Sequence, residues 1–175
     1  MIRKATIEDI AGILSIYNDA ILHTTAIYDY TPHTLDERTA WFKELTAAGW
    51  PLYVYEAADG SVAGFADYGS FRNWPAYKYT VEHSIYVHPD FRRQGIARAL
   101  MKQLIADADA HDYATMIAGI DSQNAGSIHL HEALGFQKVG TIQKAGYKFG
   151  RWLDLDFYQL MLTGPEVPFE PVEVP

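Results

Sequence analysis

The segment that most restricts what this chain can fold into is Arg92-Arg93-Gln94-Gly95-Ile96-Ala97. Before it, Tyr79 to Val87 reads as a strand that stops at His88-Pro89, where proline has no N–H to give a ladder. After it, Ile96, Leu100, Met101, Leu104, Ile105 and Ala108 recur at helical spacing and predict a helix from about Gly95 to Ala110. A strand that feeds an amphipathic helix through a glycine belongs to a sheet that the helix covers. The junction also has a chemical use. The first N–H groups of a helix lack partners within it and carry a partial positive charge. A pyrophosphate fits such a place. Gly95 opens the main chain to close approach, Ala97 keeps the next turn small, and Arg92, Arg93 and Arg98 add charge. The spacing is neither the Gly-x-x-x-x-Gly-Lys-Ser/Thr of a nucleotide P-loop nor Gly-x-Gly-x-x-Gly.

The remaining elements complete the sheet and its cover. Ile2 to Ala5 reads as a short strand, and Thr6 with Asp9 as a capping pair before a helix carrying Ile10, Ile13, Leu14, Tyr17 and Ile21. A loop from Thr24 to His33 follows. Thr34 and Glu37 then cap a second helix reaching about Ala48, with Trp41, Phe42 and Leu45 on its apolar side. Leu52 to Ala57 and Ser61 to Ser70 are strands joined at Asp59-Gly60. Phe71 to Tyr77 is an aromatic-rich connection. Thr115 to Ile120 is a strand, and Asn124 caps a helix to Leu134 that Gly135 stops. Gln137 to about Ala145 and Arg151 to Leu162 are the last strands. This order predicts a mixed α/β or α+β sheet with helices on its faces. Residues 1–163 read as one domain, and residues 164–175 as an extended or disordered tail rich in proline and acid.

Composition narrows the partners. The formal net charge of -8 argues against nucleic acid and anionic membranes as partners, because phosphate contacts need clustered Lys and Arg. Any anion must be held by a local device such as the one around Gly95. The chain has no cysteine, so disulfides, thiolate metal sites and a cysteine nucleophile are excluded. No membrane-length apolar run occurs, and a cytoplasmic location is expected. His129 and His131 are two apart and face different sides of a helix, so no metal is expected.

Two motifs together resemble a known family. Arg92 to Ala97, after a strand, resembles the acetyl-CoA-binding Arg/Gln-x-x-Gly-x-Gly/Ala motif of the GNAT superfamily of N-acetyltransferases. Asn124, a short helix and His131-Glu132-Ala133-Leu134-Gly135-Phe136 resemble its Asn…Tyr-Glu-Lys-x-Gly-Phe signature. Histidine in place of tyrosine at position 131, together with Thr80 to Val87, Tyr17-Asn18-Asp19-Ala20, Thr24-Thr25 and Lys148-Phe149-Gly150-Arg151-Trp152, resembles the subfamily acting on phosphinothricin and methionine sulfoximine. The resemblance implies a mixed, mostly antiparallel sheet of about seven strands, splayed at the fourth and fifth, with about four helices. It implies acetyl-CoA as co-substrate, a small-molecule amine as acceptor and a homodimer. Main-chain groups of Ile85, Tyr86 and Val87 would bind the pantetheine arm, with the Val87 N–H polarising the thioester carbonyl. The stretch Arg92, Arg93, Gln94, Gly95, Ile96, Ala97 and Arg98 would hold the pyrophosphate, Asn124 would hydrogen-bond the pantetheine arm, and His131 would protonate the leaving thiolate.

The acceptor chemistry follows from the residues themselves. An ammonium has no lone pair, so something must take its proton before it attacks a thioester. Glu82 lies on the central strand, where a carboxylate is costly unless partnered or used. It is the expected general base, directly or through water. Alternation places Glu82, Ser84 and Tyr86 on one face and His83, Ile85 and Val87 on the other. In the subfamily that the chain resembles, the region from Phe71 to Lys78 contacts an amino-acid-like substrate, which implies Arg72 as a clamp for its carboxylate, with Lys78 as a second candidate. Asn73, Trp74, Tyr28, His83 and Ser84 complete the expected acceptor site. An acetyltransferase for protein N-termini or lysines and a non-catalytic acyl-CoA sensor stay open as alternatives.

Overall fold

The computed structural model describes residues 1–170; the end of the proline- and acid-rich segment, 171–175, lies outside them. The chain builds β1 (Ile2–Lys4), α1 (Ile10–His23), α2 (Leu35–Ala47), β2 (Leu52–Glu56), β3 (Val62–Ser70) and β4 (Thr80–Val87). It continues with α3 (Ile96–Ala110), β5 (Thr115–Asp121), α4 (Ala125–Glu132), β6 (Gln137–Lys148) and β7 (Arg151–Met161). The seven strands form one sheet in the order β1-β2-β3-β4-β5-β7-β6. Only β4 and β5 pair in parallel; every other neighbour is antiparallel. The expected mixed sheet with four helices is therefore present.

Helices cover both faces. The main core forms where α3 packs Ile96, Leu100, Met101 and Leu104 against Ala63, Val81, Met116 and Ala118 of the sheet. A second core joins Ile10, Ile13 and Ile16 of α1 to Leu52, Val54 and Phe65. Gly64 sets the α3 contact: a Cβ there would stand 3.2 Å from Ile96 and 3.3 Å from Leu100.

Three local expectations need correction. Thr6 and Asp9 do form a capping box, but around a short 3-10 turn at Ile7–Asp9 that leads into α1. In α2, the capping box of Thr34 and Glu37 is present, yet the buried residue is Arg38, while Trp41, Phe42 and Leu45 are only half-buried. A guanidinium is buried there because it stacks on the rings of Tyr17 and Trp41, 3.5 and 4.6 Å from their centroids. Residues 164–170 form neither helix nor strand, and they are tethered. The Phe169 N–H donates to the Tyr79 hydroxyl at 2.9 Å, and its carbonyl accepts from Lys78. No helix among the described residues is long and apolar enough to cross a membrane.

Candidate active site

The site begins where β4 and β5 part. Their pairing covers Thr80–Glu82 against Thr115–Ile117 and then ends, although both strands continue. On its other side β4 stays in register with β3 from Ser70↔Val81 to Gly64↔Val87, without a bulge. His88 donates its N–H to Ala63 on that side, so alternation turns the N–H groups of Ile85 and Val87 toward the open edge. These are free main-chain groups on a splayed strand.

A groove of about 770 Å³ runs from this edge between α3, α4 and the segment after α1, lined by Ile85, Tyr86, Val87, Arg92, Arg93, Ala97 and Asn124 among others. Its far end is the loop before α3. Arg93 and Gly95 both take left-handed backbone conformations, φ 61° and 78°, on either side of Gln94. Alternating hand turns successive N–H groups inward, an anion-binding concavity. Ala99 is the first residue of α3 whose N–H finds a helical partner, the carbonyl of Gly95, which leaves those of Ile96, Ala97 and Arg98 free. Nothing lies within 4 Å of a Cβ built on Gly95, so the approach is open. Asn124 caps α4, its Oδ1 accepting from the Ser127 N–H at 3.1 Å, and it also lines the groove.

A smaller cavity of about 220 Å³ sits at the vertex of the splay. Glu82, His83, Ser84 and His131 line it. Burial raises the Glu82 carboxyl above its usual range, and Arg72, 3.8 Å away, opposes that rise. Arg72 thus lies beside Glu82 as a loose ion pair. Its guanidinium also donates to the Phe71 carbonyl and lies over the Phe71 ring.

The two histidines fix each other's protons. His131 Nδ1 lies 2.7 Å from the Ser127 carbonyl and must donate to it. Its Nε2 is then an acceptor, so His83 Nε2, 3.0 Å away, carries the proton between them. His83 Nδ1 is left as a buried acceptor without a partner. The rings stack at 5.0 Å, and Phe136 meets both edge-on. Burial lowers the pKa of both, that of His83 to about 3, so the pair is neutral near pH 7. His131 has no free nitrogen in this arrangement. Its one proton is the Nδ1–H held by the Ser127 carbonyl, so to protonate a leaving group it must give up that contact or first take up a second proton at Nε2.

The other acceptor-side residues are spread out. Asn73, Trp74 and Lys78 line a separate pocket with Arg72, and Lys78 is held by the Phe169 carbonyl rather than turned to Glu82. Trp74 is 75% exposed. Tyr28 packs on Gly146 of β6, where a Cβ would come within 2.7 Å of its ring. Sequence reasoning missed the posts that hold the segment after α1 over the cleft. Asp121 accepts from Thr25 and from Arg151 at 2.7 Å. Lys148 donates to the carbonyls of Thr24 at 2.9 Å and Ile27 at 2.7 Å. It also gave no role to Asp67 on β3. The cost of a carboxylate in a buried strand, which singled out Glu82, would have found Asp67 and Asp121 too. Among the described residues, no group of three or more His, Cys, Asp or Glu side chains is gathered for a metal.

Residues 13–136 match the acetyltransferase (GNAT) family. The chain is 46% identical over 161 residues to the L-amino acid N-acyltransferase MnaT of Escherichia coli, covering 92% of this chain and 93% of that protein. It is 47% identical over 161 residues to the L-methionine sulfoximine/L-methionine sulfone acetyltransferase of Pseudomonas aeruginosa, covering 92% and 94%. The structure of the acetyltransferase yncA from Salmonella typhimurium with its cofactor acetyl-CoA superposes with a TM-score of 0.92 at 44% identity, over 97% of each chain.

Proposed function

The chain belongs to the acetyltransferase (GNAT) family and is an acetyl-CoA-dependent N-acetyltransferase, and from that premise we propose that it acetylates the α-amine of a small amino acid with a polar, oxygen-bearing side chain, with Glu82 as general base. The observation that carries this reading is the continuity of the site. A groove with free N–H groups at both ends leads to a carboxylate and an arginine at the vertex of the splay. The relatives named for L-amino acids and for methionine sulfoximine and sulfone support the acceptor class.

In this reading the N–H groups from Arg93 to Arg98 hold the pyrophosphate, and Ile85 and Val87 pair with the pantetheine arm. Tyr86 and Asn124 line its path. The amine nitrogen attacks the thioester carbon, the oxyanion is met by the Val87 N–H, and the carbon–sulfur bond breaks. Glu82 accepts the proton that the ammonium sheds, through water if the distance requires it. The nitrogen gives up a second proton as the adduct collapses and the departing thiolate takes up one, so the overall reaction releases a single net proton by way of Glu82. For His131 to deliver that proton, its contact with His83 opens and Nε2 first takes up a proton, because its Nδ1–H is held by the Ser127 carbonyl. Arg72 clamps the acceptor carboxylate; Lys78 and Trp74 join once the tail contact at Phe169 is released. The proposal extends to cytoplasmic action and to a homodimer. Val139, Ile142 and Tyr147 on the outermost strand and Trp152 beside them are half or more exposed or nearly so, an apolar edge of the kind that pairing covers.

The test is thiol release from acetyl-CoA across a panel of L-methionine sulfone, L-methionine sulfoximine, phosphinothricin, polyamines, aminoglycosides and short peptides. Turnover is expected with the amino acids. Turnover confined to peptides would support the protein acetyltransferase instead, and a cofactor-binding protein with no turnover on any amine would be a sensor.

A further inference from the structure

Beneath α1 and α2 lies a third cavity, of about 310 Å³, that the mechanism above does not use. Its floor is Asp67 of β3 and Ser84 of β4, which stand opposite each other in register. Its roof is Tyr17 of α1 with Arg38 and Trp41 of α2. Ser84 also lines the cavity at the vertex that holds Glu82, so the two spaces share a wall.

The charges in this cavity are unusual. Arg38 is 3% exposed, and its Nε has no hydrogen-bond partner; its nearest polar contact is Nη2 to His33 Nδ1 at 3.2 Å. Asp67 accepts no hydrogen bond from any described residue, and it forms no ion pair with Arg38, since no nitrogen–oxygen distance between them falls within 4.0 Å. A buried guanidinium and a half-buried carboxyl thus face one cavity without meeting, and desolvation of each costs free energy while it lacks a partner. Stacking on Tyr17 and Trp41 holds the guanidinium back, and β3 holds the carboxyl. A group with both an acceptor and a donor would satisfy the two sides together.

We propose that this cavity receives the side-chain head of the acceptor, with Arg38 donating to an oxygen bonded to sulfur or phosphorus and Asp67 meeting the opposite side of the same group. This rests on the reading that the acceptor amine sits at Glu82 with its carboxylate at Arg72. The side chain would reach the cavity at Ser84 and Tyr86, the residues common to both linings. The aromatic walls suit an aliphatic stem, and the guanidinium requires an acceptor atom at its end. A sulfoximine fits both charges, because it carries one oxygen acceptor and one N–H donor. A sulfone supplies the oxygens only. A thioether supplies neither, and a site built for hydrogen bonds rejects a partner that leaves its buried groups unpaired.

The experiment compares kcat/KM for L-methionine sulfoximine, L-methionine sulfone and L-methionine in the wild-type protein, R38M and D67N. The wild-type protein is expected to prefer the sulfone to methionine by at least about tenfold. R38M should bring that preference near one by raising the KM for the sulfone, with kcat and the methionine values within a few-fold. D67N should lower the ratio of sulfoximine to sulfone and leave the sulfone little changed. Retained acetyl-CoA binding shows that each variant is folded. If R38M does not fold, the D67N ratio decides alone. Wild-type preferences in folded variants would mean that the cavity holds only water, and the inference would be wrong while the proposed function stood. A wild-type protein that turns over none of the three amino acids would instead overturn the reading on which the inference rests.

Discussion

Replacing Asp67 with asparagine should make this protein more stable, and more so as the pH rises. The Asp67 carboxyl belongs to a half-buried residue and accepts no hydrogen bond from any described residue, and its desolvation at the cavity pushes its pKa from 3.8 up to about 7, with Arg38 only partly opposing. A raised folded-state value means that the folded chain keeps a proton which the unfolded chain has already lost. Stability is then greatest below the unfolded value and falls as the pH climbs toward the folded one. With one pKa unit worth about 1.36 kcal/mol, the gap of about three units makes the ionised carboxylate cost ~4 kcal/mol at high pH. Integrated from about pH 5 to about pH 8, the loss is ~2–3 kcal/mol. Asparagine has the same shape and no such charge. Its other effects are the same at both pH values and cancel in the comparison, as do those of His83 and every other titrating group. Urea unfolding followed by tryptophan fluorescence at both pH values measures the difference. The advantage of D67N should grow by ~2–3 kcal/mol between the two conditions, equivalent to about 4–12 °C in Tm for a chain of this size. An advantage that is constant, or larger at the lower pH, would refute the reasoning. Expected as it is to weaken sulfoximine turnover too, D67N would separate what the carboxyl costs the fold from what it does for the acceptor.

The remaining predictions concern the site. Glu82→Gln should lower kcat by about 10²–10⁴ with acetyl-CoA binding intact; unchanged turnover at saturating acceptor would remove Glu82 as the base. Because the Glu82 pKa is raised by burial, kcat/KM in the wild-type protein should rise with pH through a limb above the ordinary carboxylate range, and that limb should be missing in the variant. Arg72→Ala should raise the KM for amino acids far more than for simple amines lacking a carboxylate; equal effects on both would argue against the clamp. Gly95→Val should weaken acetyl-CoA binding, because a β-branched residue resists φ of 78° and its side chain enters the approach to the loop; unaltered binding would place the pyrophosphate elsewhere.

Much of this fold was legible because its signals are local. The helical spacing from Ile96 to Ala108, the capping box at Thr34 and Glu37 and the Asn124 cap each lie within a few turns of chain, and each is present. Alternation along β4 was legible for the same reason, since no bulge interrupts its register with β3. What was hidden depends on distant partners. Arg38 drew no attention in the sequence, because its burial depends on stacking on the rings of Tyr17 and Trp41. The expected end of β6 near Ala145 stopped short of Lys148, whose partners, the carbonyls of Thr24 and Ile27, lie more than a hundred residues earlier. The contact between His83 and His131 spans 48 positions, and only the folded chain shows that it occupies the Nε2 of His131.

The most direct measurement is a calorimetric titration of the folded protein with acetyl-CoA, set beside the same titration with acetyl-pantetheine, which lacks the pyrophosphate. The expected result is one site per chain for the full cofactor and binding at least about tenfold weaker for the truncated one, since the free N–H groups from Arg93 to Arg98 would have nothing to hold. No heat with acetyl-CoA at millimolar concentration, or equal affinity for the two ligands, would contradict the account.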